Sequence, residues 1–291
     1  MSFIAIVFQI TVITIGQLVT VDGNKLTEGT DRIYYTDKNV PYTGEAVYYA
    51  DKKKEEEGNF KEGRQNGVWK YYFNNGKITI EGKYVHGAKD SHWNYYSRDG
   101  KIIYTACYFN GRKVWEKGVR PDGEDFFCFF RDGRPQDGVA KESYPWGLAN
   151  HIDTRGNLYE EKYVSYRAGE KSGSTIWFGP DKKILAEGNY LNDERWEGKF
   201  VIPMGSFLWK IESYRAGAPD GEVRYYAIGG IMEKKGNNYF EYKMIELKPY
   251  GVYKDGQKWN GMFIRYWPEK NGWMRMFYKD GKLEKKEYTE F

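Results

Sequence analysis

Leu, Ile and Val are sparse in this 291-residue chain, so a thick aliphatic core is not expected. Only two cysteines occur, Cys107 and Cys128, with no Cys-x-x-Cys pair, too few for a disulfide framework. Histidine is equally scarce: His86, His92 and His151 are the whole set. His86 and His92 have only Asp90 near them as a further ligand, so no metal centre is expected. No Gly-rich loop opens a helix, and hardly a convincing helix can be drawn, which leaves nucleotide cofactors without a platform. No cofactor of any kind is therefore expected. Nor does one sign of charge dominate. The 45 basic and 41 acidic residues give a net charge of +4, and they alternate, as where Lys52 to Lys54 run into Glu55 to Glu57. A nucleic-acid binder carries a clustered basic stripe instead, so no nucleic-acid partner is expected.

What the chain has is rings and glycine. Tyr, Phe and Trp make up 18% of residues, with 34 Gly and only 9 Pro. Aromatic residues suit pleated strands and Gly punctuates turns. The rings also recur in register. Trp69 and Trp93 stand 24 residues apart, as do Phe60, Tyr84 and Tyr108 in succession, and Gly63, Gly87 and Gly111. Coincident registers of this kind mark an internal repeat.

One unit reads as a hairpin. Gly67 to Tyr72 is a strand with rings on both faces. Asn75-Gly76, and Asp99-Gly100 one period later, predict two-residue type I′ turns, which need positive φ at both central residues. Ile80 to Tyr84 is the return strand, with Ile80, Gly82 and Tyr84 on one face by the period of two. Gly inside a strand is costly unless something packs over it, so Gly58 and Gly82 are expected beneath cross-strand rings. Gly87 to Ser91 is read as the turn into the next hairpin, with Ser91 replacing the repeat's Gly. The pattern returns in weaker form. Glu187-Gly188-Asn189-Tyr190 matches Glu57-Gly58-Asn59-Phe60, and Ser165 to Gly169 recurs as Ser213 to Gly217, two periods on. Later hairpins are read around Asp255-Gly256 and Asp280-Gly281. Between residues 119 and 160 the period degrades. Asp132-Gly133 and Gly138 still read as turns, whereas Tyr144-Pro145-Trp146-Gly147 does not fit, so this stretch is either a diverged repeat or a loop-bearing insertion.

Gly-x-Trp-x-x-Tyr, an Asn-Gly or Asp-Gly turn, Glu-Gly-x-Tyr and a closing Gly together resemble the bacterial MORN-variant repeat. Gly67 to Gly87 matches nearly throughout, and Pro41-Tyr42-Thr43-Gly44 looks like the start of YwqK-type antitoxins. The resemblance is good over 41–118, weaker over 161–291 and poor over 119–160. It implies an all-β array of stacked antiparallel hairpins forming an elongated, twisted meander sheet. Its functional implication is scaffolding of proteins, sometimes lipid contact, with the antitoxin label loosely attached; fold alone does not fix function.

The first 16 residues, apolar from Phe3 to Val7 and again around Ile10 to Ile15, have the length of a signal-peptide core, although no Lys or Arg precedes Lys25. A cleavage between Gly16 and Gln17 would export the chain to the periplasm, outer membrane or medium, with 17–40 as a lead-in. The alternatives are a retained anchor or an ordinary first strand in a cytoplasmic protein. Catalytic constellations are weak. Asp90-Ser91-His92 has the letters of a triad, but neighbours on a strand point to opposite faces. Acidic groups such as Glu160 with Glu161, or Asp122 with Glu124 and Asp125, are ordinary on solvated faces, and no glycosidase separation can be read from them. No catalytic residue is assigned and an enzyme is not expected. Cys107 and Cys128 fall on equivalent strands two apart, roughly 9.6 Å at the usual strand spacing, beyond disulfide reach; both are expected as free, half-buried thiols. The aromatic rows remain as candidate binding residues: Trp69, Tyr71, Trp93 and Tyr95, with Tyr144 and Trp146 in the irregular stretch. Either these rings hold a thin sheet together, or one face stays open to dock a partner. A protein partner is expected first, in an exported scaffold or in a cytoplasmic antitoxin-like binder. A glycan or lipid partner is the further alternative, and an enzyme built on 119–160 the remaining one.

Overall fold

The computed structural model describes residues 17–20, 24–29, 33–50, 52–143, 161–179, 182–204, 208–229, 243–267 and 272–289. None of these residues is helical, and the paired strands are antiparallel, so the protein is the all-β array of hairpins that the ring and glycine spacing predicts. The described strands form two compact units, the first ending at Gly118 and the second beginning at Val119.

The first unit contains β1 (Gln17–Thr20), β2 (Thr27–Glu28), β3 (Tyr34–Tyr35), β4 (Gly44–Ala50), β5 (Lys53–Lys61), β6 (Arg64–Gln65), β7 (Gly67–Tyr72), β8 (Ile78–Val85), β9 (Ala88–Tyr96), β10 (Ile102–Phe109) and β11 (Arg112–Val119). Its sheet runs β1-β4-β5-β7-β8-β9-β10-β11, with β6 extending the pairing to β5 and β2-β3 forming a separate small pair. The lead-in acts as a lid on the first repeat. Tyr34 N–H donates to the Gly63 carbonyl and Gly63 N–H to the Tyr42 carbonyl, while Leu26, Tyr34 and Tyr42 pack with Phe60 and Trp69.

The second unit is a plain meander in chain order: β12 (Asp125–Arg131), β13 (Arg134–Ser143), β14 (Glu161–Arg167), β15 (Glu170–Phe178), β16 (Ile184–Leu191), β17 (Glu194–Pro203), β18 (Leu208–Arg215), β19 (Ala218–Gly229), β20 (Lys243–Lys254), β21 (Gln257–Trp267), β22 (Gly272–Lys279) and β23 (Lys282–Thr289). The described part of the irregular stretch thus supplies an ordinary hairpin, β12-β13, around Asp132-Gly133. Tyr144, Trp146 and residues 1–16 lie outside the described residues.

The turn assignment is reversed from the expectation. Phe73–Lys77 is a wider loop, in which Gly76 N–H donates to the Phe73 carbonyl and Phe73 N–H to the Lys77 carbonyl. Only Gly76 has positive φ there, at +79°, so this is a three-residue loop with a glycine bulge. Ser97–Lys101 and Arg120–Glu124 repeat it, and Gly179–Lys183 does so with Lys182 at φ +62° in the glycine's place. The type I′ turns sit at the other end of the strands, at His86-Gly87 (φ +48° and +81°), Asn110-Gly111, Asp132-Gly133, Ala168-Gly169 and their equivalents. Asn-Gly and Asp-Gly promote both loop types, which is why the letters misled. The closing Gly of each repeat was the better marker.

These two-residue turns stack on one another. Gly87 N–H donates to Gln65 O, Gly111 to Lys89 O, Gly217 to Trp196 O and Gly281 to Trp259 O, at 2.8–2.9 Å. The N–H of the preceding turn residue is taken by a side chain of the repeat before it: Ala168 N–H by Asp137 Oδ1 at 3.0 Å and Asp280 N–H by Asn260 Oδ1 at 2.7 Å. Donors that a free hairpin would leave to water are thereby used to lock repeat to repeat.

A second correction concerns Gly138 and the stretch 87–91. Gly138 lies inside β13 at φ +108°, and Ser91 lies inside β9 at φ +58°. Both sit just past a type I′ turn, at bulges where the outgoing strand carries extra residues. Phe129 and Phe130 face Asp137 and Pro135, and Glu81 and Lys83 face Asn94 and Asp90. Such bulges bend the strand and increase its twist. Ser91 does stand where Gly67 (φ +88°) stands one repeat earlier.

The glycines under rings are where they were expected. A Cβ at Gly58 would lie 2.3 Å from the Trp69 indole, and one at Gly82 would lie 2.1 Å from that of Trp93. Ring packs on ring along the same side: Phe60–Trp69 at 5.2 Å, Trp69–Tyr84 at 6.0 Å and Tyr84–Trp93 at 4.8 Å between centroids, all near edge-on. That geometry is the favoured one for aromatic pairs.

Candidate interaction faces

Cross-strand partners share a face, so the pairings sort the side chains of each unit. The side that carries Trp69, Tyr71, Trp93 and Tyr95 is the ring face. Trp69 and Trp93 are each 1% exposed, and their indole N–H groups donate to the carbonyls of Asn59 and Lys83. Their burial fits the reading in which they hold the sheet together. Tyr71 and Tyr95 are half-buried. Tyr71 and Tyr84 share a hydroxyl contact of 3.3 Å, and the Tyr95 ring lies 4.8 Å from that of Tyr104. Burial, reinforced by neighbouring phenols and carboxylates, pushes the Tyr71, Tyr95 and Tyr104 hydroxyls well above the ordinary phenol range and that of Tyr108 up to about 12. At neutral pH these groups are protonated, and the Tyr104 hydroxyl donates to Glu116.

Sequence reading missed a cation that recurs two residues after the type I′ turn. Lys89 Nζ lies 4.1 Å from the Trp93 ring centre and 5.3 Å from that of Tyr108. Lys113, Lys171 and Lys258 are its equivalents, over Tyr104, Tyr190 and Phe263 with Tyr278. Their ammonium groups lie over the rings, and burial holds that of Lys89 down at about 8. The signal was legible as Gly-x-Lys after the closing Gly.

Carboxylates anchor the ring-bearing face of each unit, one in the first and two in the second. Glu116, with 0% side-chain exposure, accepts from Lys113 Nζ at 2.5 Å and Tyr104 Oη at 2.7 Å. Glu142 accepts from Lys162 at 2.8 Å, Lys171 at 3.1 Å and Tyr166. Burial alone would raise the Glu142 carboxyl, but Lys162, Tyr166 and Lys171 outweigh it and hold it at about 2. Glu212 accepts from Lys210 at 2.5 Å and Tyr214 at 3.0 Å. One carboxylate stands apart. Glu56 is paired across strands with Tyr48 and Tyr71, and burial, with a smaller push from Glu55, raises it to about 7.

The opposite face is mixed. In the first unit His92, Cys107 and Trp115 are direct neighbours across β9, β10 and β11, and the His92 and Trp115 rings meet at 5.3 Å. The Ser91 hydroxyl donates to Asp90 at 2.8 Å. Burial and the charge of Asp90 push the Cys107 thiol up, away from the reactive thiolate. Cys107 and Cys128 are both free; Cys107 is half-buried as expected, but Cys128 is fully buried, because it faces Gly138 at a bulge with no side chain to hold it off the core. In the second unit β12 alternates, with Phe126 and Cys128 inward and Phe127 and Phe129 outward at 39% and 55% exposure. The two outward rings contact edge-on at 4.6 Å. Val68, Ile103 and Phe109 are similarly exposed in the first unit. Among the acidic groups weighed for catalysis, Glu161 holds Lys141 at 2.9 Å and Asp122 holds Arg120 at 3.0 Å. Among the described residues no group of three or more His, Cys, Asp or Glu is placed to hold a metal ion, and no helix is long and apolar enough to cross a membrane. In comparisons with known proteins, no protein-family model matches the chain and no curated protein matches its sequence.

Proposed function

We propose that the chain is a non-catalytic repeat scaffold that presents its sheet to a partner protein. The outward ring of Phe129 carries this reading, because it is 55% exposed on a regular strand and large exposed rings are what a partner covers. The MORN-variant resemblance supports it. Phe129→Asp removes an exposed ring with no core role. Captured from envelope extract, a specific partner is expected to be retained by the wild type and lost from the variant, with the unfolding midpoint unchanged. Equal capture by both would remove this reading.

Export belongs to the same proposal. The apolar character of residues 3–15 supports cleavage before Gln17, and N-terminal sequencing of the native protein is then expected to read Gln17 first. An intact Met1 would remove cleavage and leave a retained anchor or the cytoplasmic, antitoxin-like reading.

A further inference from the structure

We infer that the ring face of the second unit docks an extended, acidic segment of the partner protein. This rests on the protein-interaction reading and adds a contact of the partner on the face opposite to Phe129. The cross-strand pairs place Lys162, Lys171, Arg195, Lys210, Lys258 and Arg265 on this one face, against the carboxylates of Glu142 and Glu212. Lys286, opposite Met276 on the last strand, adds another cation. Glu142 is already shared by two lysines and Glu212 is bonded to Lys210. Among the described residues, no carboxylate lies within ion-pair distance of Arg195, Lys258, Arg265 or Lys286. The excess is felt locally: beyond burial, Arg265 and Lys210 push the Lys258 ammonium down, and Glu212 only partly opposes them. Arg265 and Lys286 are exposed, and Arg195 and Lys258 partly so. On the ring face of the first unit Lys113 is bonded to Glu116, while Lys89 is pushed down by burial and by Lys113.

The face selects among anions. Its central rings are inside: Tyr225 and Phe263 are each 1% exposed and Tyr190 8%. Tyr288, opposite Met274 on the last strand, is open at 55%, one exposed ring rather than the row on which successive bases of single-stranded nucleic acid stack. Lys171 and Arg195 are two strands apart, about 10 Å by strand spacing. Carboxylates on every third residue of a polyproline II segment, which has three residues per turn, recur on one side at about 9 Å.

The test uses the full chain and a labelled peptide of about twelve residues, with Glu at every third position among Ser and Thr, followed by fluorescence anisotropy. Binding is expected to weaken as salt rises from about 50 to about 300 mM. It is expected to weaken about tenfold or more in Arg195→Gln/Arg265→Gln and to be unchanged in Lys199→Gln, a cation of the opposite face. Lys286→Gln, at an exposed terminal strand, gives an independent loss should the double variant fold poorly. Absence of binding, equal binding of a Gln-for-Glu peptide, indifference to these substitutions, or tighter binding of an oligouronate or oligothymidylate would each overturn the inference. A partner captured equally by wild type and Arg195→Gln/Arg265→Gln would overturn it while leaving the scaffold reading intact. Capture that Phe129→Asp does not affect would instead strike that reading.

Discussion

Gly82→Ala is expected to destabilise the protein by about 3 kcal/mol, the upper range for overpacking a filled core. Two effects of opposite sign compete. Gly82 sits in extended backbone, so a methyl group there recovers the 0.5–1 kcal/mol, roughly, that glycine costs within a strand. Against it, the new Cβ would lie 2.1 Å from the Trp93 indole and 2.4–2.6 Å from two more of its atoms. The indole cannot yield, since it is 1% exposed, with the Tyr84 ring 4.8 Å away and its N–H held by the Lys83 carbonyl. Steric conflict therefore decides. Urea unfolding followed by Trp fluorescence measures the loss. Gly82→Ala/Trp93→Leu is expected to recover part of it, because the two positions occupy one volume and their effects are not additive. Gly76→Ala is the contrast: nothing lies within 4 Å of its Cβ, and only the left-handed φ costs, about 1 kcal/mol. Equal losses at Gly82 and Gly76 would show that the ring does not seal the sheet.

Glu56→Gln is expected to stabilise the protein at pH 8 and to leave it nearly unchanged at pH 4. The Glu56 carboxyl titrates at about 7 in the folded chain, against an ordinary value of 4.5, chiefly because it is buried. Below pH 4.5 both folded and unfolded chains hold the proton, and the group contributes nothing. As pH rises from 4.5 towards 7 the unfolded chain releases its proton first, so stability falls across that window and is flat above it. A shift of this size corresponds to about 3 kcal/mol, of which water reaching a half-buried site leaves about 2. Glutamine keeps the shape and removes the charge. Unfolding midpoints of both proteins across pH 4–8 measure the divergence, and parallel curves would mean that Glu56 is ionised in the fold without penalty.

Much of this fold could be read from the sequence, and the reasons are local. A ring over a strand glycine is a short-range rule, so Gly58 with Trp69 and Gly82 with Trp93 follow from the Glu-Gly-x-Tyr and Gly-x-Trp spacings alone. The choice between turn types could not be read in the same way. Asn75-Gly76 suits a two-residue turn by composition, yet the bond from Phe73 N–H to the Lys77 carbonyl makes a wider loop, and that depends on strand register rather than on the two letters. The faces were harder still. Tyr71 and Tyr95 were found as candidates because rings are conspicuous, whereas the unbalanced cations Arg195, Lys258 and Arg265 come from three different hairpin positions. Only pairing brings them to one side. A net charge of +4 over the chain conceals that segregation.

The stack of two-residue turns also makes the array unequal in what it tolerates. Along that hem hairpin after hairpin is tied to the one before by the N–H of its second turn residue, a Gly or Asp193, and at several steps by an Asn, Asp or Glu side chain as well. One residue added there would break the tie and slip every later hairpin out of step. Growth, shortening and novelty are thereby steered to the opposite hem, where a connection can lengthen without disturbing its neighbours.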